Sequence, residues 1–387
     1  MNITSSQASP LIQFAIRGLG KCWMPQHGRW SHIYHLDGRS SPNESIPPSD
    51  VFYTLNVLLG FSRLAHFGLN HGFELPKVFH ENVSLMLKLD VPKYAYGMAL
   101  WTAAELGLDM EAESLASIRR LIDDRRQWKA FHAQDLGMIL IGCVAQARRA
   151  PASHWTSTAH DLFRFLIQNY TCPGGLFLDA AVGVRRAFSS FATNTYLTLA
   201  SYIYGCWSGT KIALALANAC ALKLIELQGP HGEWPWFFYS PASRVVDFYE
   251  VYSVHQMGMA PAFLEYAEQH SVPGATESLV KGFKWILGQN QLGHSMLWKR
   301  DSLVCRSQIR KEELGNRGKR MLRAAFNAVT RRSGELIDPS KLQLRLECRS
   351  YELGWILWSF GGRRDLTEIQ YHEDFRENRS SHLPQQS

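Results

Sequence analysis

The sequence predicts an all-α chain closed on itself, an (α/α)6 toroid of six helical hairpins. Three observations carry that reading. Six segments are apolar on nearly every side, more amphipathic segments alternate with them, and the pair recurs at roughly 40 to 60 residues, a spacing typical of repeat architectures. A helix apolar all round is buried on all sides, whereas one with a polar face lies at the surface. Strict alternation of the two therefore describes an inner ring of helices wrapped by an outer ring.

The inner segments run Tyr53–Ala65, Tyr94–Gly107, Asp135–Ala147, Thr193–Gly205, Tyr252–Ala267 and Ser350–Phe360. The outer ones run Val78–Leu89, Glu111–Asp123, His154–Asn169, Lys211–Gln228 and Glu277–Leu287, each with apolar residues at helical spacing. The sixth hairpin lacks an obvious outer helix, and Gly18–Met24 or Asp301–Thr330 are the segments that could supply it. An open solenoid is the competing architecture, but it needs polar capping repeats. The expected organisation is an N-terminal arm over 1–45 packing on the barrel, the toroid over 46–373, and a disordered polar tail over 374–387.

Composition narrows the class. The 387 residues are 46% apolar, 19% charged and 12% aromatic, with net charge +7. No run approaches the ~20 apolar residues of a membrane span, so no integral membrane segment is expected. Leu11–Leu19 is interrupted by Gln13, Arg17 and Gly18, unlike a secretory leader. Seven cysteines without CxxC spacing read as reduced thiols, and the expected location is cytoplasmic. Basic residues gather between Arg300 and Arg332. A solvated surface, attraction of an acidic glycan, or a nucleic-acid or membrane surface would each account for them, and nucleic acid is not the expected partner.

The links that lead into inner helices are long at 170–192, 229–251 and 288–349. All three fall where the inner helices begin, and free N–H groups there favour anions and oxygen-rich ligands. The loops Pro173–Asp179 and Gln228–Tyr239 are alike, with glycines followed by acidic or aromatic residues. Trp234 and Trp236 are candidates to stack on sugar rings, with Asp179 beside them, although such aromatics also plug barrel ends. Glu233 with Asp247 or Glu250 offers the carboxylate pair of glycosidic cleavage. Tyr252 and His255 offer a base and an acid for proton abstraction next to a sugar carboxylate. Arg349, beside Tyr351, is placed to neutralise that carboxylate. Each carboxylate has a plainer alternative as a helix cap or an arginine partner, and pairing is the commoner role for Arg349. His32, His35 and Asp37 are close in sequence, but no metal and no cofactor are expected.

The stretches Gly232–Tyr239, Val245–Pro261, Trp285–Gly293 and Glu347–Trp355 together resemble bacterial proteins of the six-hairpin glycosidase-like superfamily, over most of residues 15 to 360. The resemblance implies the (α/α)6 fold and a role in polysaccharide metabolism. The superfamily holds glycoside hydrolases, unsaturated uronyl hydrolases, polysaccharide lyases and sugar epimerases. It implies a glycan partner, acidic or uronate-bearing in view of the charge, and a glycoside hydrolase-like activity. The alternatives are a uronyl lyase or epimerase, a non-catalytic accessory protein that binds partners through 300–332, and a terpenoid cyclase-like enzyme. The chain lacks the Asp-x-Asp-Asp run of those cyclases.

Overall fold

Residues 8–65, 71–313, 317–332, 334 and 338–376 are described by a computed structural model. The apolar segments form helices α2 (Pro47–Ser62), α4 (Tyr94–Glu105), α6 (Ala133–Arg149), α8 (Phe191–Ser208), α10 (Ala260–Gln269) and α13 (Ser350–Gly361). Each packs on the next and α13 returns to α2, which closes the inner ring. Small residues set how closely these helices approach. A side chain at Gly97 would lie 2.4 Å from the backbone of Met138, and one at Gly142 would lie 2.4 Å from the carbonyl of Gly97. The α4–α6 contact is therefore backbone on backbone, as close packing of apolar helices requires.

The outer ring consists of α3 (Leu75–Met86), α5 (Ala112–Asp123), α7 (His154–Tyr170), α9 (Lys211–Glu226) and α11 (Ala275–Ile286), together with α1 (Pro10–Cys22). Helix α1 packs on α13 and completes the sixth hairpin. Its sequence explains its start, since Ser9 accepts from the Ile12 N–H and Pro10 occupies a first-turn position that needs no donor. Of the two candidates for this place, Gly18–Met24 overlaps its last turn, whereas the start of Asp301–Thr330 packs on α1 as a turn and a short strand rather than as an outer helix. The arm expected over 1–45 thus contributes a ring helix. At the other end, Phe375 is buried and its ring meets Phe14 at 5.3 Å. Residues 377–387, most of the expected tail, lie outside the described residues.

The long links are folded into short strands. Val251–Tyr252 pairs with Ser307–Gln308, and Ser307–Arg310 pairs with Leu342–Arg345. Glu347–Cys348 pairs with Tyr34–His35. A third sheet joins Phe188–Ser190, Phe237–Tyr239 and Arg244–Asp247. Helix α12 (Arg317–Val329) lies on the last of these strands. Entry to α10 is widened by a π turn, His255–Met259, in which the Ala260 N–H reaches back to the His255 carbonyl. Pro261 lacks the N–H that would bond Met257, so a regular α-turn is not available there.

Candidate functional site

The inner helices begin around one cavity of about 160 Å³. Each contributes from its first turns: Phe52 and Tyr53 from α2, Tyr94 from α4, Gln134 from α6, Ala192 and Tyr196 from α8, His255 and Met259 from the π turn, and Tyr351 from α13. The rim strands add Tyr252 and Arg306. Among the described residues this wall carries five tyrosines, one imidazole and one guanidinium, and no carboxylate.

Arg306 is the cation at its base. Its backbone is fixed on both sides, because its N–H donates to the Glu347 carbonyl at 2.7 Å and its carbonyl accepts from Ser253 at 2.8 Å. Its guanidinium lies 5.1 Å from the Tyr252 ring centre, 3.3 Å from Glu347 and 3.6 Å from Glu352, and its side chain remains 14% exposed. The carboxylates thus stand behind it and the tyrosines in front.

A wider network surrounds these three groups. Glu347 also accepts from Arg349 at 2.7 Å and faces Arg345 at 2.8 Å. Glu250 accepts from Arg320 at 2.8 Å, from the Tyr252 hydroxyl at 3.1 Å and from Ser307, and Arg345 lies 3.4 Å away. Burial opposes ionisation of Glu250, yet Arg306, Ser307, Arg345 and Arg320 together hold its pKa below the usual value. Glu352 differs. Neither of its oxygens has a hydrogen-bond partner among the described residues, and burial outweighs Arg306 and Arg349 to lift its pKa to about 8. Four arginines (306, 320, 345 and 349) face three glutamates (250, 347 and 352), an excess of one positive charge. With Glu352 protonated near neutral pH the excess is two.

The neutral groups are set by the same forces. Burial, followed by the charge of Arg306, pushes His255 down to about 3, so its imidazole is unprotonated at neutral pH. His32 stacks on Tyr53 at 4.7 Å and is likewise lowered to about 3, by burial and then by Arg349 and Arg306. Tyr53, Tyr252 and Tyr351 are all raised, chiefly by burial, and keep their protons. An uncharged base, protonated phenols and one cation are thus gathered where six helix N-termini point, an arrangement that favours an anion carrying hydroxyl groups.

Of the residues singled out from sequence, Tyr252, His255 and Tyr351 stand in this wall. Arg349 and Glu250 lie just behind it as partners in the network. The other five are elsewhere. Asp247 is clamped by Arg310 at 2.7 and 3.1 Å, and Arg310 is shared with Glu313. Glu233 turns back on its own loop, accepting the His231 N–H at 2.9 Å while its carbonyl accepts from Gly229. Burial lifts it to about 7, against the pull of those backbone bonds and of Lys281. Trp234 is wedged between Phe191 and Phe263. Trp236 lies under Arg320 at 4.9 Å, and Asp179 is bonded to Thr193 at 2.6 Å and Arg185 at 2.8 Å. Neither Asp247 nor Glu250 is joined with Glu233 at the cavity, so the carboxylate pair of hydrolysis is not assembled there. His32 and His35 part company as well, since His35 bonds Glu44 at 2.7 Å. Among the described residues no three His, Cys, Asp or Glu are grouped to hold a metal ion. Arg306 and the tyrosines at 53, 94 and 196 were not singled out. The aromatic starts of the inner segments were a usable signal for the tyrosines, whereas Arg306 is one of many bases in its stretch.

No family model matches the chain, and no curated protein matches it. Solved structures do match its fold. A cellobiose 2-epimerase from Bacillus thermoamylovorans aligns with a TM-score of 0.61 at 8% identity, covering 91% of this chain and 98% of that one. A family 88 glycosyl hydrolase from Bacteroides vulgatus gives 0.57 at 11%, covering 92% and 99%. An unsaturated glucuronyl hydrolase from Bacillus sp. GL1 gives 0.55 at 11%, covering 94% and 98%. The chain therefore has the six-hairpin toroid fold along almost its whole length.

Proposed function

We propose that this chain is a carbohydrate-active enzyme that takes the carboxylate of a uronate onto Arg306 and moves a proton at the neighbouring carbon, as a lyase or an epimerase does. The observation that carries this reading is the placement of Arg306, His255 and Tyr252 in one cavity whose wall, among the described residues, has no carboxylate. The solved structures named above act on sugars or uronates by their printed names, which supports the ligand class. The cavity is smaller than the several hundred Å³ common for drug-sized ligands. That favours one sugar unit entering from the rim.

The sequence pairs Tyr252 and His255 as base and acid, and the protonation states reverse the assignment. His255 is the unprotonated group and takes the proton from C5, while the electron pair left behind is stabilised through the carboxylate held by Arg306. In elimination the C4–O bond then breaks, a C4=C5 double bond forms, and a phenol of the tyrosine wall protonates the departing oxygen. In epimerisation no bond to oxygen breaks and a proton returns to the opposite face. Carboxylate binding beside Arg306 offsets its charge and raises the basicity of His255 when substrate is present.

Incubation with uronate-bearing oligosaccharides in deuterated water tests both routes. The expected result is either the ultraviolet absorbance of an unsaturated uronate or deuterium at C5. Neither signal, with binding retained, assigns the mouth to the non-catalytic accessory role. Reducing ends released without unsaturation or deuterium would restore the hydrolytic reading, which would need Glu233 to leave its own loop and reach the cavity.

A further inference from the structure

Helix α12 has two faces of opposite character. Inward, Arg320 bonds Glu250 at 2.8 Å, Arg323 bonds Glu313 at 3.0 Å, Ala324 is buried against Phe237 and Val246, and Asn327 donates to the Val246 carbonyl at 2.9 Å. These positions follow helical spacing and fasten the helix to the rim. Outward, Met321, Leu322, Phe326 and Val329 form one stripe, with Leu322 74% exposed and Val329 84% exposed. Residues 317–332 carry six basic side chains (Arg317, Lys319, Arg320, Arg323, Arg331 and Arg332) and no Asp or Glu, and Arg320 and Arg323 are taken up by Glu250, Glu312 and Glu313, so the charge that flanks the stripe comes from the basic residues at the two ends of the segment.

A second exposed apolar element belongs to the same rim. Val182 and Val184 are 65% and 86% exposed and are followed by Arg185 and Arg186. Their turn runs straight into Phe188–Ser190, the outer strand of the sheet whose other outer strand carries α12. Two solvent-facing apolar elements flanked by arginine thus sit at the two edges of one three-stranded sheet.

We infer that α12 is a membrane-docking helix that seats its apolar stripe in the interface of an anionic lipid bilayer. A basic helix with a broad apolar stripe has this affinity, since the stripe enters the headgroup–acyl boundary while the flanking cations meet anionic headgroups. Charge complementarity selects the occupant. Nucleic acid would satisfy the arginines but leave Leu322, Phe326 and Val329 facing a polar backbone, and a second copy of this chain would bring like charge against like charge. Because Arg320 ties the inner face of α12 to Glu250 and Tyr252, docking would hold the toroid mouth toward the bilayer.

The test uses the whole chain and sedimentation with vesicles of phosphatidylcholine, pure or doped with phosphatidylglycerol. The expected result is partition onto the doped vesicles only, weakening as salt is raised. Leu322→Glu and Phe326→Glu should each lower it by about tenfold or more, as loss of a buried apolar side chain implies. Both positions are exposed, so an unchanged melting temperature would show that the variants fold. No partition onto doped vesicles, or equal partition of the Leu322→Glu variant, would overturn the inference. So would a dimer in light scattering that the same substitutions dissolve, because it would assign the stripe to a second copy. The proposed sugar chemistry is not needed for any of these outcomes.

Discussion

The loop from Gln228 to Tyr239 and the paired segments around Arg306 and Glu352 make an instructive contrast. The first is conspicuous in sequence, with five aromatic residues and a glutamate within a few positions. In the fold its groups face away from the cavity: Glu233 accepts from its own loop through Oε2, Trp234 is wedged between phenylalanines, and Trp236 supports Arg320, while Glu233 Oε1 and the Trp234 indole N–H are buried without a hydrogen-bond partner among the described residues. The second region is inconspicuous, and yet it holds the unbalanced charge. Arg306 is partly exposed to a cavity, Glu352 has no hydrogen-bond partner among the described residues, and His255 is buried without a proton. Incomplete bonding alone does not make a site, since both regions have it; a ligand can act only on such groups where they also line a cavity, as Arg306 and His255 do.

Asp247 should show the largest effect and tests the first half of that contrast. It is fully buried and its partner Arg310 is 4% exposed. Asp247→Ala leaves the guanidinium with Glu313 alone, and breaking a buried pair in this way costs about 3–5 kcal/mol. Denaturant unfolding should record that loss, while the surviving folded protein binds an acidic sugar as before. Retained stability would mean that the pair is not structural. Arg306 tests the second half. Arg306→Gln should weaken binding of a uronate about ten- to a hundredfold, the value of a charged hydrogen bond of ~1.5–3 kcal/mol. Arg306→Lys should recover only part of it, since an ammonium lacks the planar fork that matches a carboxylate. Equal affinity in all three proteins would remove Arg306 from the site.

The same contrast explains what the sequence disclosed. Apolar periodicity is local, so five hairpins, the ring, and the rim on which the inner helices open are readable from short windows. The outer helix of the sixth hairpin is harder, because Pro10–Cys22 finds its partner at the far end of the chain. The site is harder still. Tyr252 and His255 were readable because they stand at the start of an inner segment. Arg306 reaches the cavity only because its backbone bridges Ser253 and Glu347, and strands of two to four residues leave no periodic trace in a long insert. Nor does composition separate Arg306, Arg310 and Arg320, whose charges turn inward, from the outward arginines of the same stretch.

The smallest signal is a slope, and it separates two glutamates that burial keeps protonated. Glu352 and Glu233 are raised to about 8 and about 7 from an ordinary 4.5. Between pH 4.5 and these values the folded chain holds protons that the unfolded chain releases, so stability falls as pH rises. Each group contributes at most about 1.4 kcal/mol per pH unit. His255 and His32 act in the other direction. Lowered to about 3 from 6.5, they stay neutral in the fold while the unfolded chain takes up protons, so stability falls as pH drops below 6.5. The melting temperature should therefore peak in the weakly acidic range. Glu352→Gln and Glu233→Gln should each flatten its alkaline side. In binding they should differ. Ionised Glu352, 3.6 Å from Arg306, weakens the pull of that cation on an anion. Uronate affinity should therefore drop as pH passes about 8, and that drop should vanish in Glu352→Gln alone. If Glu233→Gln abolished it as well, or if neither did, Arg306 would not be the group that receives the carboxylate.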